Sequence, residues 1–525
     1  MFQCYHSCKK KWAIPLTCLL SHHKLKKLAI PHSMDKSQTS NLEILKNPIF
    51  FSVVIPFVYW IYLALHTQMV IVFDAMLFEK FGATIYKQGW TEFLRTGPHN
   101  EPLYPLLISL SMRLSDALSI SYQSVQKVLQ MIILLSTQLL TIKLLNELKI
   151  NRRITAAVIF YFGISPAMIN SVFSLWSEIA ATPFVVGIIL LFSSAWKNIF
   201  ITNIGKEKVS KEDVRRALAT GLMLGAVFAG VTFVKAIFQV IFLIFILLFL
   251  LFSFALVIGN TNDKSQTALR NALVVVFSAF VIYQACVLPY MFANLKFNGH
   301  FTIADRGPWI VYAKAVKRAE KITPKDFGAA VAYAAGEGVC KKFWGQTECL
   351  KWSAAPVDTY GHSKLEELKT RGISGKEIDR TLLQLTLEKI RERPFQYAVL
   401  MSVEGFKMMF WESTKIGYVK YPPGLERFYD WAPVKDGLRF LLSFLTMAAL
   451  GYSFFYVWKN RRKLHAPTAQ STLVFTLGSI LIFLMIYIGM YSFFFIVPRH
   501  IFPIVPLYLV VIAFFIQNNY RQSRQ

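Results

Sequence analysis

A small set of side chains in this sequence has the types needed to move a group off a phosphate. Asp74, His99 and Glu101 bracket a polar, aromatic stretch, VFDAMLFEKFGATIYKQGWTEFLRTGPHNEPLYP, which also carries Tyr104. Glu178 opens an apolar run further on, Lys235 sits in a short break between two others, and Arg499-His500 lies among Pro498, Pro503 and Pro506. A positioned carboxylate takes the proton from an attacking hydroxyl, and a cation neutralises the departing phosphate. Arginine suits the second task because its planar fork holds two phosphate oxygens at once. On this reading Asp74 is the base and Glu101 a second acid. Arg499, His500 and Lys235 hold the phosphate, which leaves Glu178, His99 and Tyr104 for an acceptor or a sugar. Each of these residues also has an ordinary use at a membrane interface, so the reading depends on whether the chain brings them to one side.

The elements that must do so are membrane helices. Hydrophobic residues make up 54% of the chain, with 45 Phe, and several apolar runs reach the roughly 20 residues a helix needs to cross a bilayer. The expected fold class is an all-α polytopic membrane protein of about ten transmembrane helices, with outer juxtamembrane helices and a mixed extracytoplasmic loop domain. A β-barrel is excluded, because its strands read as short alternating segments. The net charge of +27 is explained by Lys and Arg gathering in cytoplasmic loops, and no nucleic-acid partner is expected. Membrane lipids are the expected surroundings.

Basic flanks assign sides to the spans. The spans expected are 47–71, 125–145, 154–166, 178–196, 217–233, 237–258, 272–290, 441–458, 473–491 and 501–517, with KINRR, KNRRK and the C-terminal NNYRQSRQ on the cytoplasmic side. Both termini are then cytoplasmic. Residues 1–46 form an N-terminal cytoplasmic segment, partly disordered, whose Cys4, Cys8 and Cys18 fit no zinc template. Residues 47–291 form a membrane domain with a first outer loop at 72–118, residues 292–436 an extracytoplasmic domain, and residues 437–525 the last transmembrane helices. In the first outer loop, Glu101 to Leu118 reads as an amphipathic helix on the outer surface, and a short turn with Asn170 and Trp176 precedes Glu178. FQYAVLMSVEGFKMMFW reads as interfacial, since Glu404 and Lys407 are costly inside a bilayer. Cys340 and Cys349 are placed to form a disulfide if their segment is extracytoplasmic. GLMLGAVFAG spaces small residues for close helix packing. Trp309, Tyr312, Trp344 and Trp352 serve either core packing or sugar stacking.

With these motifs in order, the sequence resembles a family. Asp74 after the first span, GPHNEPLYPLLISLSMRL, LWSEIAATPFVVGIILL, GLMLGAVFAGVTFVK and VPRHIFPIVPLYLVV are similar to family 39-type glycosyltransferases of the glycosyltransferase-C superfamily, relatives of protein O-mannosyltransferases and aminoarabinose transferases. The resemblance covers most spans from Asn47 to Gln517 and little of the outer domain. It implies inverting transfer of a sugar, hexosyl or pentosyl, from a polyprenyl-phosphate donor to a lipid, glycan or protein acceptor on the extracytoplasmic face of the plasma (inner) membrane. Asp74 matches the family's acid, with Asp74-Ala75 standing where Asp-Glu is common. Arg499-His500 stands where the family has Arg-Tyr near the donor phosphate. Lys235 and Glu178 match a basic residue after a Gly-rich span and an acidic start to the fourth span. No metal and no cofactor besides the lipid-linked donor is expected. The alternative class is a transporter or flippase for a lipid-linked anionic substrate, which would carry charges deep in several spans and matching halves.

Overall fold

The computed structural model describes residues 47–97, 101–201, 210–258, 263–373, 375–412, 418–431, 433–465, 468–494 and 496–522. The expectations about residues 1–46 and His99 lie outside these segments. From the first span the chain runs α1 (Pro48–His66), β1 (Gln68–Met69), α2 (Asp74–Gln88), α3 (Trp90–Arg95) and α4 (Leu103–Leu118). The next helices are α5 (Tyr122–Glu147), α6 (Arg152–Ile164), α7 (Pro166–Phe173), α8 (Glu178–Trp196), α9 (Lys211–Thr232), α10 (Phe238–Ile258) and α11 (Asp263–Asn298). A cap follows: α12 (Gly307–Ala319), α13 (Pro324–Ala335), α14 (Glu337–Trp344), α15 (Gln346–Leu350), α16 (Ala354–Thr370), α17 (Gly375–Glu392), α18 (Pro394–Lys407), β2 (Val419–Lys420) and α19 (Pro423–Asp430). The chain closes with α20 (Leu438–Asn460), α21 (Ala469–Phe493), a 3-10 stretch at Pro498–Ile504 and α22 (Val505–Gln522). The cap is therefore helical nearly throughout, where a mixed loop domain was expected.

Among the described residues, nine helices are long and apolar enough to cross a membrane, and the bent pair α6–α7 makes a tenth if it counts as one span. Phe277, Leu441, Phe444 and Leu247 point outward from these helices. An exposed apolar belt of this kind is stable only against lipid, so the chain is an integral membrane protein. α4 and α18 are absent from the crossing set, as their internal charges led us to expect.

Two devices hold the bundle close around the site. Gly225 of α9 lies so near Ala279 of α11 that an added methyl would stand 3.0 Å from the Ala279 Cα and carbonyl carbon, and Gly221 meets Val275 and Ser278 in the same way. The small residues of GLMLGAVFAG let the two backbones touch. The second device is α7. In place of the expected outer turn, Asn170 lies in a buried half-helix, bent 46° from α6, and Trp176 follows its end. A broken helix at this depth needs partners for its freed polar groups. Gln130 donates to the carbonyls of Val172 and Ser174, Tyr421 donates to the Asn170 side chain, and Glu412 accepts from Ser165 and from the Ala167 amide.

The cap packs around its own core. Cys340 and Cys349 form a disulfide, wrapped by Trp344 and Trp352. Trp309 and Tyr312 pack on Leu368, Ile378 and Leu382. Tryptophans that had either packing or sugar stacking open to them thus serve the cap's interior.

Candidate active site

Asp74 is the first residue of α2, and the chain is steered into it by two constraints. β1 pairs antiparallel with β2, Gln68 opposite Lys420 and Met69 opposite Val419, and the Val70 amide donates to the Tyr418 carbonyl at 2.9 Å. Phe73 then takes φ 51°, a region that side-chain-bearing residues rarely adopt, and this reverses the chain so that α2 starts at Asp74. The Asp74 carboxylate accepts a hydrogen bond and ion pair from Nη2 of Arg499.

Arg499 comes from the 3-10 stretch between α21 and α22. Its guanidinium lies 3.6 Å from the ring centre of Trp176, and its Nε is 3.5 Å from Glu178 Oε1. The α7 break delivers both of these partners: Trp176 and Glu178 follow directly from it. Glu178 Oε1 also accepts from Lys235 Nζ at 2.8 Å. Lys235 is in the turn between α9 and α10, and that turn is pinned from the other side. The Glu101 carboxylate accepts from the Ala236 amide at 2.9 Å, and the Leu103 amide donates to the Phe233 carbonyl at 3.0 Å. Glu101 also faces Arg306 at 3.6 Å. Asp74, Arg499, Glu178 and Lys235 form one chain of ion pairs, and the Glu101–Arg306 pair adjoins it through the Ala236 amide.

These contacts fix the topology. Asp74 follows the first crossing, Glu178 precedes α8, Lys235 lies between α9 and α10, and Arg499 between α21 and α22. They can meet only if an even number of crossings separates each pair, so α6 and α7 together take the chain across the membrane. The network lies on the same side as the cap, since Arg306 opens α12.

The electrostatics favour an ionised Asp74. Burial pushes its carboxyl up, but Arg499, with Arg306 and Lys235 behind it, outweighs burial and holds the group below the ordinary aspartate range. Arg499 and Lys235 are mostly buried, with 18% and 12% of their side chains exposed, so both act in a medium where charge is poorly screened. An arginine stacked on an indole face and flanked by carboxylates is held in one orientation.

The structure gives the other sequence-predicted residues the following places. Glu178 was expected at an acceptor or sugar; it is fully buried and faces the two cations instead. Tyr104, expected at an acceptor or sugar, is also buried, its hydroxyl donating to Gln130 at 2.7 Å and its ring edge-on to Phe78. Glu101, expected as a second acid, supports the Lys235 turn: its Oε1 accepts from the Ala236 amide, while its Oε2 faces Arg306 at 3.6 Å without a hydrogen bond. His500 leans on Tyr491, ring centres 5.0 Å apart, and its carbonyl accepts from Tyr487. Arg306 and Trp176 were missed as site residues. Arg306 sits in a cap stretch without a motif, while Trp176 lay two residues before a residue already singled out.

Among the described residues no group of three or more His, Cys, Asp or Glu is arranged to hold a metal ion. No family model and no curated protein matches the sequence. Among solved structures, the archaeal oligosaccharyltransferase from Archaeoglobus fulgidus in complex with an inhibitory peptide and a dolichol-phosphate is 14% identical, with a TM-score of 0.44 over 92% of this chain and 52% of that one. The same protein tethered with an acceptor peptide containing the NVT sequon gives 13% identity and a TM-score of 0.46 over 92% and 50%. Its apo form gives 14% and 0.47 over 93% and 52%. This chain spans about half the length of the oligosaccharyltransferase it is similar to.

Proposed function

We propose that the protein is an inverting glycosyltransferase that takes a sugar from a polyprenyl-phosphate-linked donor and places it on an acceptor hydroxyl at the cap face. The observation that carries this reading is the Asp74–Arg499 pair, backed by Lys235 through Glu178 at the ends of membrane helices. A lipid phosphate lies at that depth, and its sugar projects towards the cap. Arg499 and Lys235 neutralise the phosphate. The donor phosphate competes with Asp74 for Arg499, so its arrival loosens the pair and lets burial raise the basicity of Asp74. The acceptor oxygen then attacks the anomeric carbon as Asp74 takes its proton. The bond from that carbon to the phosphate oxygen breaks, and the electron pair leaves on the phosphate held by Arg499.

On this reading the cap face is extracytoplasmic, both termini are cytoplasmic, and the membrane is the plasma membrane. The donor is itself the only non-protein component needed. A transporter is disfavoured because the network's charges gather at helix ends on one face. The test is stereochemical. Purified protein given a polyprenyl-phosphate sugar of known anomeric configuration and an acceptor should form product of the opposite configuration. Product that retains the donor's configuration would refute the single-displacement mechanism, and transport without product would favour the alternative.

A further inference from the structure

Tyr418 stands beside the site with an unused hydroxyl. Its ring meets the Trp176 ring edge to face, centres 4.4 Å apart and planes at 84°, and Trp176 is the indole on which Arg499 rests at 3.6 Å. The backbone sets where this ring can be. The Tyr418 carbonyl accepts from the Val70 amide at 2.9 Å, Val419 lies opposite Met69, and the Tyr421 hydroxyl donates to the Asn170 side chain of α7. The segment that carries Tyr418 is thus tied both to the strand that leads to Asp74 and to the half-helix that leads to Trp176. Where those two are in place, so is the phenol.

Other tyrosines around the site spend their hydroxyls on protein acceptors: Tyr104 on Gln130, Tyr487 on the His500 carbonyl and Tyr421 on Asn170. Among the described residues the Tyr418 hydroxyl makes no hydrogen bond, and the residue is partly exposed. The charges of the site act on it as well. Burial pushes its phenol above the ordinary tyrosine value, Arg499 pulls it down, and Asp74 and Glu178 push it up again. The phenol therefore keeps its proton at neutral pH and is a donor without an acceptor. A phosphate on Arg499 would supply one, because a guanidinium fork engages two of its oxygens and leaves another for a neutral donor. We propose that Tyr418 is a further substrate-binding residue, its hydroxyl donating to an oxygen of the donor phosphate, with Trp176 as the shared support of phenol and guanidinium. This assignment rests on the reading of Arg499 as the phosphate ligand and adds an uncharged donor to its cations.

The experiment is Tyr418→Phe. It keeps the ring against Trp176 and the carbonyl on Val70, and it removes a hydroxyl that holds nothing in the fold, so the thermal midpoint without lipid should equal the parent's. Binding of a polyprenyl phosphate, and of the same lipid carrying glucose on its phosphate, is measured on the full chain in a neutral detergent. Both affinities should fall about tenfold, the loss of one hydrogen bond to a charged group. Equal binding by parent and variant overturns the assignment. A loss confined to the glucose-bearing lipid overturns it in favour of a sugar contact, and a loss that comes with a lowered midpoint overturns it in favour of a structural role. A parent that binds neither lipid also overturns it. Transfer is measured separately: a parent that binds both lipids but moves no sugar defeats the proposed function, while the binding ratio of parent to variant still decides the role of Tyr418.

Discussion

Glu178→Gln separates a phosphate cradle from a merely structural ion network. The carboxylate is fully buried and lies 2.8 Å from Lys235 Nζ and 3.5 Å from Arg499 Nε. Glutamine keeps the shape and one acceptor but removes the charge. Asp74 still balances Arg499, but among the described residues Glu178 is the one carboxylate in an ion pair with Lys235, since Glu101 binds the neighbouring Ala236 amide and Arg306. Breaking a buried pair by removing one partner costs about 3–5 kcal/mol, because an uncompensated charge stays behind. The thermal midpoint of the purified protein should therefore fall by several degrees. If the cations exist to hold a donor phosphate, the missing charge can be supplied from outside. Adding polyprenyl phosphate should raise the midpoint of Glu178→Gln more than that of the parent, and a tenfold gain in affinity corresponds to about 1.4 kcal/mol of extra stabilisation at saturating lipid. The assay is a melting curve for both proteins with and without the lipid. Equal stabilisation of the two, or an unchanged midpoint in the variant, would refute the reasoning.

Four further outcomes follow from the geometry. Gly225→Ala forces a methyl onto the Ala279 backbone and should cost about 1–3 kcal/mol, whereas Gly187→Ala meets only Val227 Cγ1 at 3.9 Å and should be neutral; paired melting curves check both. Arg306→Gln removes one of the charges that lower the Asp74 pKa, so the acid limb of kcat/KM should move to higher pH, and an unmoved limb would contradict the network. The same depressed carboxyl contributes stability above the unfolded aspartate pKa and loses it as pH falls through the folded value, so Arg306→Gln should also make acid unfolding begin at higher pH. Glu412→Gln turns an acceptor shared by Tyr161, Ser165 and the Ala167 amide into one that faces them partly with its own donors. It should cost about 1–3 kcal/mol and loosen the half-helix ahead of Trp176.

The sequence is most informative about what repeats along it. Apolar length alone located the crossings, and basic flanks implied that Asp74, Glu178, Lys235 and Arg499 share a face, which their contacts now require. It is least informative where a side chain's partner lies far along the chain. Tyr104 and Glu101 have the types of surface site residues, but Gln130 and the Ala236 amide claim them. The half-helix α7 is too short to register as a span or a surface helix, and only Glu412, Gln130 and Tyr421, from other segments, make it stable. Glu404 and Lys407, expected on an interfacial helix, are instead buried within the cap beside Lys314.

The central claim is that Asp74 takes the acceptor's proton while Arg499 holds the leaving phosphate. The most direct test is the transfer rate of purified Asp74→Asn with a polyprenyl-phosphate sugar, measured alongside binding of the same donor. The account expects transfer to fall by about a hundredfold or more, the loss of a positioned base, while donor binding is kept or strengthened because Arg499 loses its competing carboxylate. Transfer at the parent rate would contradict it.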